Sequence, residues 1–367
     1  MYRKDIEPLL INSTITIKEV INSINRHGCG IALLVDEKKQ LIGTITDGDI
    51  RRAILSGLGI QTIASVLIEH KNTSPYPKPI TALQGTDPNI LLALMRKHAI
   101  RQVPLLDSDG SVVDLALMDD LLPGDALPVQ AVIMAGGFGT RLRPLTDNTP
   151  KPLLPVGDRP LMELIVSQLR HSGIRRIQVT THYMADRVKE HFGNGNMMGV
   201  EIDYTNEEHP LGTAGALGLI PQPKEPLLVI NGDILTNLDF RAMHTYHQKQ
   251  KAELTVAVRQ YSYQVPYGVL ECDGPRVIGL HEKPTYNFFV NAGIYLVQPA
   301  ALELIPKERR FDMTDLIQAL VDKGQVVSCF PIVEYWLDIG QTTDYEQAQK
   351  DIREGKFSPG DERQNPG

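Results

Sequence analysis

Short apolar segments alternate with amphipathic ones from Val129 onward, and few folds can accommodate that alternation. Segments rich in β-branched residues predict strands, namely AVIMA, RIQVTT, VEIDYT, LLVING and ELTVAVR. Among them, LMELIVSQLRHSG predicts a helix that ends at Gly173. Strands that alternate with helices form mainly parallel sheets, which bind ligands at the carboxyl ends of their strands. The sequence therefore predicts an α/β domain with its site at that edge.

Three glycines follow the first predicted strand of this domain, in AVIMAGGFGTRLRPLTDNTPK. Three cations come soon after them, Arg141, Arg143 and Lys151. The spacing matches neither the dinucleotide-binding pattern nor the P-loop. Glycines let a backbone approach a ligand and turn its N–H groups toward an anion, and the cations can neutralise phosphate charge. We favour a phosphate loop here; the alternative is a tight turn with solvated surface cations.

The overall charge makes this basic cluster more informative. The 367-residue chain carries 37 Lys and Arg against 44 Asp and Glu, a formal net charge of -7. That balance argues against nucleic-acid and anionic-membrane binding, so a local basic cluster indicates a pocket for a small anion. The three cysteines are far apart, which argues against disulfides and zinc, and neither a signal-peptide core nor a membrane-spanning segment is evident. We therefore expect a cytoplasmic protein.

The glycine segment resembles the signature G-G-x-G-T-R-L-x-P-L-T-x-x-x-P-K-P of sugar-1-phosphate nucleotidylyltransferases, and further family motifs follow in order. That family transfers a nucleoside monophosphate from a nucleoside triphosphate to a sugar 1-phosphate and releases pyrophosphate. The resemblance implies that Arg141 steadies the leaving pyrophosphate and that Lys151 contacts phosphates at the reaction centre. It also implies a nucleotide-binding loop made of Ala135, Gly136, Gly137, Gly139 and Thr140.

EEHPLGTAGAL resembles the segment that reads the base in this family. The resemblance implies that Gly212 leaves room for the base and that Thr213 helps to complete the turn. Glu207 lies where relatives that use pyrimidine nucleotides often carry Gln. A carboxylate only accepts hydrogen bonds, and guanine offers N1–H and an exocyclic amine as donors. We therefore expect GTP. The alternatives are a polar loop with an incidental Glu, and a UDP- or dTDP-sugar product.

Two carboxylates resemble the family's pair of Mg²⁺ ligands. Asp233 directly follows the predicted strand LLVING, and Asp338 lies in YWLDIGQTTDY. Mg²⁺ prefers oxygen ligands and usually takes one or two carboxylates together with phosphates and water. An Asp at the end of a strand could instead cap the next element; the two motifs together favour the metal.

HEKPTYNFFVNAGIYLV resembles the sugar-binding side of the family, and Tyr267-Gly268 matches its Y-G segment. The resemblance implies that Glu282 and Asn291 bind sugar hydroxyls and that Lys283 contacts the sugar phosphate. A Glu-Lys pair is more often a solvated surface pair, which is the alternative.

The N-terminal third contains an internal repeat. HGCGIALLVDEKKQLIGTITDGDI (27–50) aligns without a gap on HAIRQVPLLDSDGSVVDLALMDDL (98–121). Each copy predicts helix, strand, turn, strand and helix. The pattern resembles a tandem pair of CBS (cystathionine-β-synthase) motifs, which commonly bind adenine nucleotides and form dimers.

The resemblance implies a nucleotide site only in the first copy of the repeat. Thr46 and Asp49 match the family's ligand motif, and Arg51 or Arg52 could pair with a phosphate. The alternative is that Thr46 and Asp49 only cap the following helix. In the second copy Leu117 replaces Thr46, which argues against a second site.

These patterns together predict a CBS-pair module over 1–122, a linker over 123–130, a catalytic domain over 131–352 and a disordered tail over 353–367. The catalytic domain is expected to have a Rossmann-like, mainly parallel mixed sheet flanked by helices, and the module an α+β fold. The expected function is Mg²⁺-dependent synthesis of a GDP-sugar by a homodimer or higher homo-oligomer, regulated through binding of an adenine or other nucleotide to the CBS module. The rival is a catalytically inactive protein that senses nucleotides.

Overall fold

A repeated unit builds the N-terminal module in the computed structural model, which describes residues 6–27, 29–71, 77–121, 126–307 and 309–357. The elements of this module are β1 (Leu10–Ile11), α1 (Ile17–His27), β2 (Ile31–Val35), β3 (Leu41–Thr46), α2 (Asp47–Leu55), α3 (Ala64–Lys71), β4 (Ala82–Leu83), α4 (Pro88–His98), β5 (Gln102–Leu106), β6 (Val112–Leu117) and α5 (Met118–Leu121). The second copy keeps the offset of the sequence repeat, since β2 begins at residue 31 and β5 at residue 102. The two copies form two sheets, ordered β1-β2-β3 and β4-β5-β6.

Apolar residues at helical spacing explain the leading helix of each copy. In α1, Ile17, Val20 and Ile24 share one face and are buried together with residues of β2 and α2. In α4, Leu91 and Met95 pack in the same way against β5. Each copy therefore has its own small core.

The C-terminal domain follows the strand and helix pattern of its sequence. Its strands are β7 (Gln130–Met134), β8 (Pro155–Val156), β9 (Arg159–Pro160), β10 (Arg176–Thr181), β11 (Glu201–Asn206), β12 (Leu227–Asn231), β13 (Ile234–Thr236), β14 (Leu254–Gln264), β15 (Val269–Asp273), β16 (Arg276–His281), β17 (Thr285–Val297), β18 (Val327–Pro331) and β19 (Trp336–Asp338). Its helices are α6 (Leu161–His171), α7 (Ala185–Phe192), α8 (Gly212–Gly215), α9 (Phe240–Gln250), α10 (Met313–Asp322) and α11 (Thr342–Arg353).

Seven strands form the central sheet of this domain, in the order β11-β10-β7-β12-β17-β14-β18. The first four are parallel, β17 runs antiparallel to both of its neighbours, and β18 is parallel to β14. Separate apolar clusters cover the two faces of the sheet, which explains why strands such as LLVI are apolar throughout. The predicted mainly parallel mixed sheet is confirmed. Within the described residues, no helix has the length and apolar character needed to cross a bilayer.

A two-stranded arm extends from the sheet. We define it as residues 260–290, in which β14 and β17 continue to pair beyond the sheet and β15 and β16 form a hairpin at the end. The arm exposes large apolar side chains, including Tyr261, Tyr263, Tyr267, Tyr286, Phe288 and Phe289. It also carries most of the predicted sugar-binding residues.

The elements of the fold can be compared with the predicted domain boundaries. β7 begins at Gln130, one residue before the predicted start of the catalytic domain, and the linker residues 123–125 lie outside the described residues. The predicted tail differs at its beginning, because Phe357 is buried and its ring centroid lies 5.5 Å from that of Tyr335. The remainder of the tail, 358–367, lies outside the described residues.

The candidate active site

The glycine loop follows the carboxyl end of β7, where a parallel sheet is expected to bind ligands. Gly139 has a φ of 65°, and a Cβ placed on it would lie 2.9 Å from Thr146 Cγ2. The Thr146 hydroxyl donates to the Gly139 carbonyl at 2.8 Å, which holds the turn in this conformation. Gly137 differs, because a Cβ there would have no described atom within 4 Å. Gly139 is thus needed for the turn, while Gly137 faces open space.

A cavity of about 270 Å³ opens over this loop. The residues that line it are Met134, Ala135, Gly137, Phe138, Gly139, Thr140, Arg141, Leu142, Lys151, Pro152, Gly232, Asp233 and Gly340. Residues predicted from three separate parts of the sequence therefore meet at one opening, together with Gly340. Two cations and a carboxylate lie among the backbone groups of the glycine loop.

Lys151 and Asp233 form an ion pair on the wall of this cavity. Lys151 Nζ donates to Asp233 Oδ2 at 2.7 Å, and both side chains are largely buried. The other oxygen, Oδ1, is buried and has no hydrogen-bond partner among the described residues. A buried carboxylate oxygen is rarely left without a partner, so this atom is suited to a ligand that supplies positive charge.

Asp338 is brought beside Asp233 by a short antiparallel pairing. β13 and β19 pair so that Ile234 lies opposite Asp338, and Ile339 N donates to Asp233 O at 2.9 Å. A Cβ placed on Gly340 would lie 3.4 Å from both Arg141 Nη1 and Asp338 Oδ1. Asp338 is exposed and only partly buried; among the described residues it does not line the cavity, but Gly340, two residues later, does.

The charges around Asp338 affect its pKa in opposite directions. Partial burial and then the negative charge of Asp233 raise the pKa of the Asp338 carboxyl, while Lys151 and Arg141 act to lower it. Two carboxylates that repel each other in this way create a place for a cation. Among the described residues no group of three or more His, Cys, Asp or Glu side chains could hold a metal. Two carboxylates nevertheless fit Mg²⁺, which takes its other ligands from phosphates and water.

Glu207 is buried beside the glycine loop. Its Oε2 accepts from Leu211 N at 3.0 Å, and a Cβ placed on Gly136 would lie 2.7 Å from its Oε1. Burial raises the pKa of Glu207, while the bond from Leu211 N and the nearby His182 oppose that change. The side chain is therefore not part of a solvated polar loop, and glycine at 136 leaves room for its carboxylate.

Gly212 and Thr213 have partners in the segment before α10. Gly212 has a φ of 81°, and a Cβ placed on it would lie 2.5 Å from Asp312 Oδ1. Thr213 N donates to Asp312 Oδ1 at 3.0 Å, and Met313 N donates to Thr213 Oγ1 at 2.9 Å. In the described residues neither of the two lines the cavity.

The predicted sugar-binding residues lie on the arm or at its base. A Cβ placed on Gly268 would lie 3.0 Å from Glu282 Oε2, so these two predicted sites meet across the hairpin. Tyr267, Glu282 and Lys283 are exposed, and among the described residues none of them lines the cavity. Asn291 Oδ1 accepts from Gly293 N at 3.0 Å, next to the point where β17 enters the sheet. The structure groups these residues but does not bring them to the glycine loop.

Thr46 and Asp49 form the capping box that was the alternative to ligand binding. Thr46 N and Oγ1 both donate to Asp49 Oδ2 at 2.9 Å, at the N-terminus of α2. Asp49 also pairs with Lys71 Nζ at 2.9 Å and with Arg52. Capping is thus observed, and nucleotide binding at Thr46 and Asp49 stays a prediction.

The prediction that Arg51 could pair with a phosphate is wrong. Arg51 is 4% exposed, and its Nη2 donates to Glu334 Oε1 at 2.6 Å. Its Nε donates to the Pro331 carbonyl at 2.9 Å, and its guanidinium lies 4.2 Å from the centre of the Phe330 ring. The side chain is therefore held by the C-terminal domain and is not available to a ligand of the module.

The nucleotidyl transferase family profile matches residues 130–355, and the CBS domain profile matches residues 4–56. The first match covers more than half of the chain. The chain belongs to the nucleotidyl transferase family. Its fold agrees with that membership, since a Bacillus anthracis structure described as a glucose-1-phosphate thymidylyltransferase superposes with a TM-score of 0.51. The two are 29% identical, and the match covers 61% of this chain and 95% of that one.

Curated relatives differ in the nucleotide that their names specify. A mannose-1-phosphate guanylyltransferase from Mycobacterium tuberculosis is 30% identical over 236 residues, which cover 62% of this chain and 65% of that protein. A UTP–glucose-1-phosphate uridylyltransferase from Synechocystis is 31% identical, and the match covers 61% of this chain and 63% of that protein. The chain thus spans less than two thirds of the length of these relatives.

Two residues of the nucleotidyl transferase domain that organise these sites were missed in the sequence. Asp312 begins a capping box with Asp315 at the start of α10, and the D-x-x-D spacing could have indicated it. Glu334 had no comparable signal, because its partners come from distant parts of the chain.

Proposed function

We propose that this chain transfers guanosine monophosphate from GTP to a sugar 1-phosphate, giving a GDP-sugar and pyrophosphate. The observation that carries the proposal is the Lys151–Asp233 pair, with its unpartnered carboxylate oxygen, opposite the glycine loop. Arg141 and Asp338 flank the same opening. Backbone donors, two cations and two carboxylates are the groups that a transfer between phosphates requires.

The proposed reaction needs no covalent intermediate with the protein. An oxygen of the sugar 1-phosphate attacks the α-phosphorus of GTP, and the bond from that phosphorus to the bridging oxygen of pyrophosphate breaks. Arg141, which lines the cavity, holds the departing pyrophosphate with its planar guanidinium. Lys151 holds phosphate oxygens at the reaction centre as a point charge, with Asp233 fixing its position.

Asp233 and Asp338 would hold Mg²⁺. The buried, unpartnered Oδ1 of Asp233 and the negative charge of Asp338 nearby both support this assignment. When bound, Mg²⁺ would neutralise phosphate charge and orient the reacting phosphates. The residues of the chain position the substrates and neutralise charge, which are the main contributions that a protein makes to such transfers.

The choice of GTP rests on Glu207. Its buried carboxylate lies beside Gly136, at the loop proposed to bind the nucleotide, and can accept hydrogen bonds from guanine N1–H and the exocyclic amine. The guanylyltransferase named among the relatives supports this choice. A uridylyltransferase and a thymidylyltransferase are also among them, so a UDP- or dTDP-sugar is the alternative product.

For the sugar, we propose the groups on the arm. Glu282 would accept hydrogen bonds from sugar hydroxyls, and the amide of Asn291 would bind another hydroxyl. Lys283 would contact the sugar phosphate beside Tyr267 and Gly268. Tyr267, Glu282 and Lys283 are exposed, so a sugar 1-phosphate can reach them.

For the N-terminal module, we propose a nucleotide effector at Thr46 and Asp49 and a role in forming a homodimer. The match to the CBS domain profile supports both proposals. An adenine nucleotide is the expected effector.

Pyrophosphate release measured with Mg²⁺ tests the proposed function. GTP, UTP, dTTP, CTP and ATP are each combined with mannose, glucose, glucosamine, N-acetylglucosamine and heptose 1-phosphates. Turnover with GTP supports the proposal, and turnover only with UTP or dTTP contradicts the role given to Glu207. Saturable nucleotide binding with no turnover across the panel would favour the rival, an inactive nucleotide sensor.

A further inference from the structure

Helix α2 of the N-terminal module docks on the segment that joins β18 to β19 in the C-terminal domain. Arg51 reaches across and contacts three parts of this region: the Phe330 ring, the Pro331 carbonyl and the Glu334 carboxylate. The side chain of Val333 is buried in the core cluster of the N-terminal module. Asn25 Nδ2 donates to the Val333 carbonyl at 2.9 Å. The joining segment is therefore part of both domains.

The ion pair at the centre of this contact is deeply buried. The side chains of Arg51 and Glu334 are 5% and 7% exposed, and their charged atoms are 2.6 Å apart. Burying two charges costs free energy that is offset only while they are paired and hydrogen-bonded, so separating them would destabilise the fold. The pair therefore fixes the geometry of the contact and does not act merely as a surface attraction.

Glu334 also fixes the segment that follows Asp233. Its Oε1 accepts from Asp239 N at 3.4 Å. The next residue continues the connection, because the Tyr335 carbonyl accepts from Thr236 Oγ1 at 2.8 Å and from Asn237 N at 3.0 Å. The two segments that carry the proposed Mg²⁺ ligands are thus joined directly behind those ligands.

Only three residues separate Glu334 from Asp338, and they include most of β19. The pairing of β19 with β13 places Asp338 opposite Ile234, immediately after Asp233. A displacement of the segment at Glu334 would therefore change how Asp338 faces Asp233. At the other end of the connection, Arg51 lies in the second turn of α2, whose N-terminus carries Thr46 and Asp49.

We propose that Arg51 and Glu334 are positioning residues that hold Asp338 in register with Asp233, so that the N-terminal module sets the geometry of the active site. This inference rests on the proposed function in one respect, namely that the two carboxylates hold the metal. It requires no ligand on the module. A ligand that displaced α2 would reach the active site through this ion pair.

The first variant for testing this is the double substitution Arg51→Met with Glu334→Gln. It removes both charges of the pair together, so neither member is left without the other in the interior, and the amide introduced by Glu334→Gln keeps an acceptor for Asp239 N. Arg51→Lys is the conservative partner, because Lys keeps the charge but cannot reach Pro331 and Glu334 with one rigid fork. Thr255→Val is the matched control, since it removes a buried hydroxyl from the same sheet, and its partners His247 and Ser328 make none of the described hydrogen bonds to Arg51 or Glu334.

Amide hydrogen exchange of the full chain without substrate is the readout that does not depend on activity. In the double variant we expect peptides over 234–241 and 334–341 to exchange about three- to tenfold faster than in wild type. Arg51→Lys should show a smaller increase, and Thr255→Val none at these peptides. Equal exchange in the double variant and the control would overturn the inference.

The second readout is the dependence of pyrophosphate release on free Mg²⁺. The double variant should need about three- to tenfold more Mg²⁺ for half-maximal rate, while the KM for GTP changes less than about twofold. If the double variant needed no more Mg²⁺ than wild type for half-maximal rate, the ion pair would be only a structural contact, even if amide exchange were faster. That result would overturn the inference. A wild-type protein that releases no pyrophosphate would contradict the proposed function instead, and the exchange comparison would still decide whether the pair anchors the segment.

Discussion

Lys151 Nζ lies 2.7 Å from Asp233 Oδ2, while among the described residues the second oxygen of that carboxylate has no partner. The lysine thus holds one oxygen in place and leaves the other free to bind a ligand. With one oxygen bound to Lys151 and the other open to a cation, the carboxylate of Asp233 can position the lysine and the cation relative to the same phosphate. Asp233 is therefore the residue on which the proposed chemistry depends most directly.

Replacing Asp233 with Asn should lower turnover at least about a hundredfold, the scale on which one group that stabilises the transition state contributes. The amide keeps the shape of the side chain but loses the charge that Mg²⁺ and Lys151 require. Pyrophosphate release measures the effect. Asp203→Asn, on the exposed edge of β11, is the matched control. A rate near that of wild type would remove Asp233 from the metal site.

Replacing Glu207 with Gln should lower kcat/KM for GTP by about tenfold or more, because the hydrogen bonds to guanine would lose their charged acceptor. Gln retains an oxygen that can accept from Leu211 N, so the surrounding loop should be preserved. The same assay with UTP and dTTP provides the control. If kcat/KM fell by the same factor with GTP, UTP and dTTP, Glu207 would support the loop but would not recognise the base.

The sequence predicted the elements and the position of the glycine loop at the end of β7 well, because those depend on local patterns. The repeat in the N-terminal module keeps its sequence offset in the fold, and the strand that precedes Asp233 is apolar because both of its faces are covered. Arg51 shows where that reasoning fails. Its sequence neighbours suggest a ligand site, but its burial depends on Glu334, 283 positions away in the chain. The local sequence pattern of a helix does not show which other domain packs against it.

The arm shows a second limit of sequence reasoning. Motif order correctly grouped Gly268 with Glu282, which meet across the hairpin. The distance from the arm to the cavity depends on how β14 and β17 leave the sheet, near the irregular pairing between Val256 and Val258. A pattern of residue types does not specify that bend.

Replacing Gly139 with Ala should destabilise the fold by at least about 1 kcal/mol, because the residue has a positive φ and its Cβ would collide with Thr146. Gly137→Ala is the matched control in the same loop, since its φ is not in the left-handed region and a Cβ there would meet no described atom. Thermal unfolding should separate the two variants by about 2–4 °C per kcal/mol for a domain of this size. Equal melting temperatures would show that the loop relaxes freely.

Asp47 is buried next to the domain contact, and its environment predicts how stability depends on pH. Burial raises the pKa of Asp47 to about 7, the Arg51 guanidinium opposes that change, and the carboxylates of Glu334, Asp239 and Asp49 reinforce it. Its Oδ1 has no hydrogen-bond partner in the part of the chain that the structure describes. The folded protein therefore retains a proton on Asp47 that the unfolded chain releases near pH ~4.

The sign of the effect follows from that difference. Between roughly pH 4 and pH 7 the folded state binds more protons, so this group lowers the free energy of unfolding as pH rises, by up to about 1.4 kcal/mol per pH unit. Above about pH 7 its contribution is constant. Asp47→Asn removes this titration. In denaturant unfolding, the free energy of unfolding of the variant should therefore exceed that of wild type by an amount that grows from about pH 4 to pH 7 and is constant above pH 7. Parallel stability curves over that range would mean that Asp47 ionises in the folded protein as it does in water.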